Sequence, residues 1–246
     1  MTDYRADSRF SDLVEAYSRY RYRDYPSKVF DVIFRGLGDP KQTVVADIGA
    51  GTGISAALIA SRGAKVIAIE PNERMRAHAP HHASIEWRDG TAEATGLDDG
   101  SVDVVTAFQA FHWFDPAGAL AEFRRIARRR IVNVQYEHEE SDAPSAEINR
   151  LLCIYSVDDS ERLRRHALET FAALAGDRLR TSILNVDWNL SREGLLGYLD
   201  SISFVPHNGV LGDRLRAEVA ELFRRHQREG ILTLPLRLYV LALDVA

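Results

Sequence analysis

Two carboxylates and three glycines carry the most explicit chemistry in this chain. Residues 44 to 58 run V-V-A-D-I-G-A-G-T-G-I-S-A-A-L, with Gly49, Gly51 and Gly53 at alternate positions after a short β-branched run. Glycines so spaced let the backbone turn tightly and let a ligand touch the main chain without meeting Cβ atoms. Amides at the start of the following helix offer partial positive charge to an anionic group. Gly51, Gly53 and Ala56 also satisfy the G-x-G-x-x-G/A dinucleotide pattern, so the glycines alone do not choose between ligands. Asp47 does: a carboxylate beside the turn repels a pyrophosphate and suits a ligand with an ammonium and a sulfonium. Glu70, 23 positions after Asp47, closes the strand-like run K-V-I-A-I-E and can accept both hydroxyls of a ribose.

A second chemical stretch is Phe108-Gln109-Ala110-Phe111-His112-Trp113-Phe114, at the end of the predicted strand Val102 to Ala107. Open α/β sheets place their ligand crevice at such carboxyl ends. His112 has two readings, a loop hydrogen bond or a general base near neutral pH, with Gln109 beside it. Trp113 is either a cavity wall or core. His78, His81 and His82 lack a completing carboxylate or cysteine, so they are expected in solvent rather than on a metal. Lone Cys153 permits no internal disulfide and is expected in the core.

The elements that must position these groups alternate strand and helix. Strands are expected at Val44 to Ile48, Lys65 to Glu70, Ile85 to Arg88, Val102 to Ala107, Ile131 to Gln135, Thr181 to Trp188 and Ile231 to Val245. Pro235 marks a bend or edge in the last. Helices are expected at Phe10 to Arg23, Ser27 to Gly36, Ile54 to Ser61, Asn72 to Ala79, Ala117 to Ala127, Ala146 to Val157, Ser160 to Ala175, Ser191 to Ser203 and Asp213 to Glu229. Asp115-Pro116 supplies an N-cap and first-turn proline. Arg128 to Arg130 is expected as a solvated helix end. The fold class is α/β: a Rossmann-like, mostly parallel seven-stranded sheet flanked by helices, with a helical cap after the fifth strand. The 246 residues fit one domain: a lid over 1–36, a cofactor core over 37–135, the cap over 136–180 and the closing strands and helices over 181–246.

Composition narrows the function. A net charge of −5 argues against a dedicated nucleic-acid binder, and the arginine bias, with lysine only at 28, 41 and 65, suits a GC-rich genome. No apolar run is long enough for a bilayer and no leader is evident, so a cytoplasmic, bacterial protein is expected, monomeric or homodimeric, with no membrane partner.

Asp47-Ile48-Gly49-Ala50-Gly51-Thr52-Gly53 resembles motif I, D/E-x-G-x-G-x-G, of the class I S-adenosylmethionine-dependent methyltransferases. Asp89-Gly90-Thr91-Ala92-Glu93 resembles the family's adenine loop, with threonine where many relatives have aspartate. Leu97 to Val105 resembles its L-P-D-x-S-F-D-V-V segment. The likeness is strong over residues 44–134 and weaker through Gly194-Leu195-Leu196-Gly197 and the last strand, as in a small-molecule branch that includes trans-aconitate-like and quinone-biosynthesis-like enzymes. It implies methyl transfer to a small-molecule acceptor by in-line displacement, leaving S-adenosylhomocysteine. Asp47, Gly49, Ala50, Gly51 and Gly53 would take the methionine part, Glu70 with Pro71 and Met75 the ribose side. Thr91, Ala92 and Glu93 would take the adenine, with the partner of its amine left open among Asp89, Thr91 and Glu93. Gln109 and Trp113 would flank the donor, and His112 with Gln109 would orient or deprotonate the acceptor. Tyr17 and Tyr25 belong either to a core-facing helix or to a lid whose rings cover the sulfonium. An NAD(P)-dependent oxidoreductase and a non-catalytic binding subunit are the alternatives; the first lacks a Tyr-x-x-x-Lys and leaves Asp47 unexplained.

Overall fold

The computed structural model describes residues 10–245. Expectations for residues 1–9 lie outside them. The strands, in chain order, are β1 (Val44–Ile48), β2 (Lys65–Ile69), β3 (Ile85–Arg88), β4 (Val102–Phe108), β5 (Ala127–His138), β6 (Leu179–Leu190) and β7 (Leu232–Asp244). They form a single sheet in the order β3-β2-β1-β4-β5-β7-β6. All neighbours are parallel except β7, which runs antiparallel to both β5 and β6. The central strands β1 and β4 are buried nearly throughout, as a parallel sheet covered on both faces demands.

The helices are α1 (Val14–Tyr20), α2 (Ser27–Phe34), α3 (Ile54–Ala60), α4 (Glu73–Ala77), α5 (Pro116–Ile126), α6 (Ala143–Tyr155), α7 (Ser160–Ala175), α8 (Arg192–Asp200) and α9 (Gly209–His226). Helices α6 and α7 lie between β5 and β6, where a helical cap was expected. Asp115 caps α5 by accepting from the Gly118 amide at 3.1 Å, with Pro116 in the first turn.

Several boundaries move for physical reasons. The first helix is only Val14–Tyr20, because residues 21 to 26 extend toward Pro26. Strand β5 begins at Ala127, four residues earlier than expected, and absorbs the arginine triplet. Arg130 is therefore buried rather than solvated: it pairs with Asp244 at 2.8 Å and donates to the Val32, Ile33 and Arg35 carbonyls, capping the end of α2. Cys153 is exposed, not core, because α6 buries Ile148, Leu151, Leu152 and Tyr155 on its other side. Pro235 sits inside β7, but β5 pairs only as far as Leu236, so that stretch has a single neighbour strand and tolerates a residue without an N–H.

Candidate functional site

The order 2-1-4-5 puts the carboxyl ends of β1 and β4 side by side at the point where the winding direction reverses, and a crevice opens there. From β1 comes the glycine turn, tied to β2 by the Gly49 and Ala50 amides, which donate to the Ile69 carbonyl at 2.9 and 3.1 Å. From β4 comes Gln109, a non-glycine residue at φ +52°, whose amide donates to the Val134 carbonyl of β5 at 2.9 Å. Such a strained backbone persists only where its surroundings fix it, and it clusters at sites. The Gln109 Nε2 is buried without a hydrogen-bond partner and lines the crevice.

The three glycines have different jobs. A Cβ on Gly49 would sit 2.7 Å from the Ala110 Cβ, and one on Gly53 would sit 2.9 Å from the Trp87 ring, so neither position has room for a side chain. Gly51, at φ +57°, has only Met75 and Tyr17 over it, at 3.4 and 3.6 Å from a notional Cβ; its face is the one that opens toward the lid. Glu70 is buried at the end of β2, its Oε2 accepting from the Gly51 amide at 2.9 Å and its Oε1 from the Asn72 amide at 3.0 Å. Burial raises its carboxyl above the usual range, and the two amides oppose that rise. The glycine turn and the acid are thus one connected unit, with remaining carboxylate lone pairs for hydroxyl donors.

Asp47 lies elsewhere than expected. It is fully buried behind the turn, with Oδ2 accepting from Ser55 Oγ at 2.6 Å and Oδ1 from Thr106 Oγ1 at 2.8 Å. Burial pushes it up to about 6, partly countered by those hydroxyls. Its carboxylate braces β1, α3 and β4 rather than facing the crevice, which corrects its expected contact with an ammonium. Glu93 is likewise occupied: it accepts from the Asp115 amide at 2.7 Å and supports the N-terminus of α5. Asp89 pairs with Arg76 at 3.2 Å, and Thr91 is exposed on the same loop. Ala92 is buried, and Pro71 and Met75 border the Glu70 end.

A cavity at the β1/β4 junction is lined by Gly49, Ala50, Ser55, Phe108 and Gln109 and roofed by Tyr17, Tyr22, Tyr25 and Tyr136. The rings pack edge to face, Tyr25 on Phe108 at 5.2 Å and Tyr22 on Tyr136 at 5.7 Å. The N-terminal segment supplies three of these rings and is anchored by α1 on α8: Tyr20 donates to Glu193 at 2.8 Å, and Tyr20 lies against Gly197. Arg21, from the same segment, enters both this cavity and the next one, donating Nη2 to the Ser201 carbonyl at 2.8 Å. Its Nε is buried without a partner. The direction of Arg21 follows from the end of helix α1 at Tyr20, one residue earlier, which no motif in the sequence marks.

The adjoining cavity holds Gln109, His112 and Trp113 together with residues of α6, α7 and α8. The Nδ1 of His112 is buried without a partner. Burial pushes this imidazole down to about 3, and the guanidiniums of Arg164 and Arg21 add to the shift. It is therefore neutral across the physiological range, a hydrogen-bonding group rather than a cation. Trp113 packs on Phe10 at 5.5 Å and on His112 at 4.8 Å, forming a wall of this cavity. His78 and His82 make local bonds with Arg74 and Ser84, and no group of three or more candidate metal ligands occurs among the described residues. No helix among the described residues is long and apolar enough to cross a membrane.

Comparison with known proteins agrees with this geometry. Residues 46–130 match the family described as a methyltransferase domain. An uncharacterized methyltransferase of Mycobacterium tuberculosis is 38% identical over 123 residues, 48% of this chain and 47% of that protein. The chain thus spans about half the length of the curated relatives it matches first. Among solved structures, one named as a type II methyltransferase from Anaeromyxobacter dehalogenans superposes with TM-score 0.68 at 25% identity, covering 92% of this chain and 98% of that one. The geranyl diphosphate C-methyltransferase of Streptomyces coelicolor, solved with Mg2+, geranyl diphosphate and S-adenosyl-L-homocysteine, shares the fold at TM-score 0.51 and 16% identity, covering 89% and 78%.

Proposed function

We propose that the chain is a class I S-adenosylmethionine-dependent methyltransferase that transfers the donor's methyl group to a small-molecule acceptor, a reading supported by the matched methyltransferase-domain family and the methyltransferase relatives and folds. The donor fits the groups present. Glu70 offers a carboxylate for ribose hydroxyls, Gly51 offers a face without a side chain, and the unpartnered Nε of Arg21 suits the donor's carboxylate. Thr91 borders the side assigned to the adenine. When bound, this donor supplies a methyl group activated by a positively charged sulfur.

The chain's own residues do the rest. Tyr17, Tyr25, Phe108 and Tyr136 exclude water and present ring faces where a positive charge is dispersed. Gln109, which lines both cavities, and His112, which lines the second, have Nε2 and Nδ1 buried and unpartnered and would fix the acceptor atom. Positioning of that kind can be worth ~7–11 kcal/mol. The neutral His112 can accept a hydrogen bond from an acceptor hydroxyl or amine and so orient it.

The observation that carries the reading is the convergence at one switch point of the Glu70–Gly51 unit and the unpartnered Gln109 and His112. Incubating the purified chain with methyl-labelled donor and small-molecule metabolite extracts tests it. Label should pass to a small molecule in a reaction abolished by S-adenosylhomocysteine. Binding of the donor with no transfer to any extract would favour a non-catalytic binding subunit.

A further inference from the structure

The sheet ends differently on its two sides. One edge, β3, is 4 residues long, while the other, β6, runs for 12. A strand typically has about 5–6 residues, and an edge as long as β6 presents an extended row of N–H and C=O groups to any further strand. Among the described residues no third strand and no loop backbone hydrogen-bonds to the outer side of β6. Native sheets commonly blunt such an edge with proline, lysine or a bulge. The sequence of β6 is L-R-T-S-I-L-N-V-D-W-N-L, and it pairs with β7 over its whole length without a register shift, so none of those three devices is present.

The side chains of β6 divide by face. Trp188 and Leu190 are buried, and Leu184 and Val186 pack against the core. On the other face Thr181, Ile183, Asn185, Asp187 and Asn189 are all exposed. Ile183 is 56% exposed, and among the described residues no other large apolar side chain stands so open on a strand. It sits within the uncharged run Thr181 to Val186. The two charges of the strand, Arg180 and Asp187, flank that run, and Arg180 is already paired with Asp244.

We propose that the outer edge of β6 is a homodimer interface, pairing antiparallel with β6 of a second copy about a two-fold axis at Ile183. That symmetry fixes the partners: Ile183 faces its own mate, Ser182 faces Leu184, Thr181 faces Asn185, Arg180 faces Val186 and Leu179 faces Asp187. Opposed residues of an antiparallel pair share a face, so the two-fold axis keeps the exposed row on one side and the core-facing row on the other. The two Ile183 side chains then cover each other, Thr181 and Asn185 can hydrogen-bond across the seam, and no like charges oppose. This self-match is what names a second copy as the occupant. The ladder takes 9 residues from each copy, 179 to 187, against roughly 20–30 a side in a standard interface. The dimer is therefore a weak one, with a dissociation constant on the order of micromolar to tens of micromolar. In the sheet order β6 stands three places beyond β4, so the seam lies away from the β1/β4 crevice.

Sedimentation equilibrium of the intact chain from about 2 to about 200 µM should show reversible exchange between monomer and dimer. Ile183→Lys should raise the dissociation constant roughly tenfold or more. The thermal melt of the dilute protein should hold in that variant, because the replaced side chain faces solvent in the monomer. Cysteine cross-linking tests the register in a Cys153→Ser background, needed because Cys153 is exposed. There Ile183→Cys should give a disulfide-linked dimer under mild oxidation with diamide, since opposed Cα atoms stand about 4.5–5.5 Å apart, within disulfide reach. Asp187→Cys should not, its mate lying eight residues along the ladder, about 27 Å away. A wild type that stays monomeric throughout, leaving the edge to an extended segment of another protein, would overturn the proposal. So would a dimer that persists in Ile183→Lys, or cross-linking of Asp187→Cys as readily as of Ile183→Cys.

Discussion

Replacing Asp47 with asparagine separates a structural carboxylate from a ligand-binding one. Asp47 has no exposure, and its carboxyl rises from 3.8 to about 6, burial being the largest cause. Its folded value lies above its unfolded value, so between these two pH values the native state holds a proton that the unfolded chain has lost. Stability from this group is therefore full below 3.8, falls as pH rises through about 6, and stays lost at neutral pH. At ~1.36 kcal/mol per pH unit, the span comes to about 3 kcal/mol. Asparagine has the same shape and no titration. Its oxygen can accept from one of the Ser55 and Thr106 hydroxyls while its NH2 donates to the other's oxygen, since hydroxyls rotate. Urea unfolding of wild type and Asp47→Asn at pH 4 and pH 7.5 would measure it, the difference between the two proteins cancelling every other titration. Wild-type stability relative to the variant should fall by most of about 3 kcal/mol over that range, and S-adenosylhomocysteine affinity should change by less than about threefold. A difference that is flat with pH, or a variant that loses the ligand, would refute the assignment of Asp47 to the interior.

Three other outcomes follow from named contacts. In Gly197→Ala, the new Cβ would stand 2.3 Å from the Tyr20 ring, so α1 must shift; a loss of about 1–3 kcal/mol in urea unfolding and weaker S-adenosylhomocysteine binding are expected, and wild-type values for both would show that the lid is not seated on α8. In Glu70→Gln, one of the two backbone amides from Gly51 and Asn72 meets an NH2 instead of an oxygen, and calorimetry should show affinity for the same ligand falling roughly tenfold or more. His112 is charged only below about 3, so the turnover of the wild-type enzyme should show no inflection near pH 6.5, and His112→Ala should lower turnover while cofactor affinity holds. Unchanged turnover in that variant would dismiss it as the group that orients the acceptor.

Local patterns made much of this fold legible. The β-branched runs, the glycine turn, Glu70 at the end of β2 and the Asp115-Pro116 start of α5 each carry their own signal within a few residues, and the structure places those elements accordingly. What escaped were roles set by partners far along the chain. Asp47 is a plausible ammonium ligand until Thr106, 59 positions later, takes its oxygen. Arg130 belongs to a basic triplet until α2 presents three carbonyls to it from almost a hundred residues earlier. Arg21 is one arginine among several until the chain extends after Tyr20 and turns its side chain inward. Cys153 is apolar enough for a core, but the phase of α6 turns it outward. Helix and strand periodicity indicate which face is buried, but not which distant group will meet a polar side chain there.

The most direct measurement is calorimetric titration of the purified chain with S-adenosylhomocysteine and, in parallel, with NADH. The convergence of Gly51, Glu70, Arg21 and Gln109 at the β1/β4 switch point predicts saturable one-to-one uptake of the first and none of the second. Uptake of NADH, or no uptake of either, would contradict it.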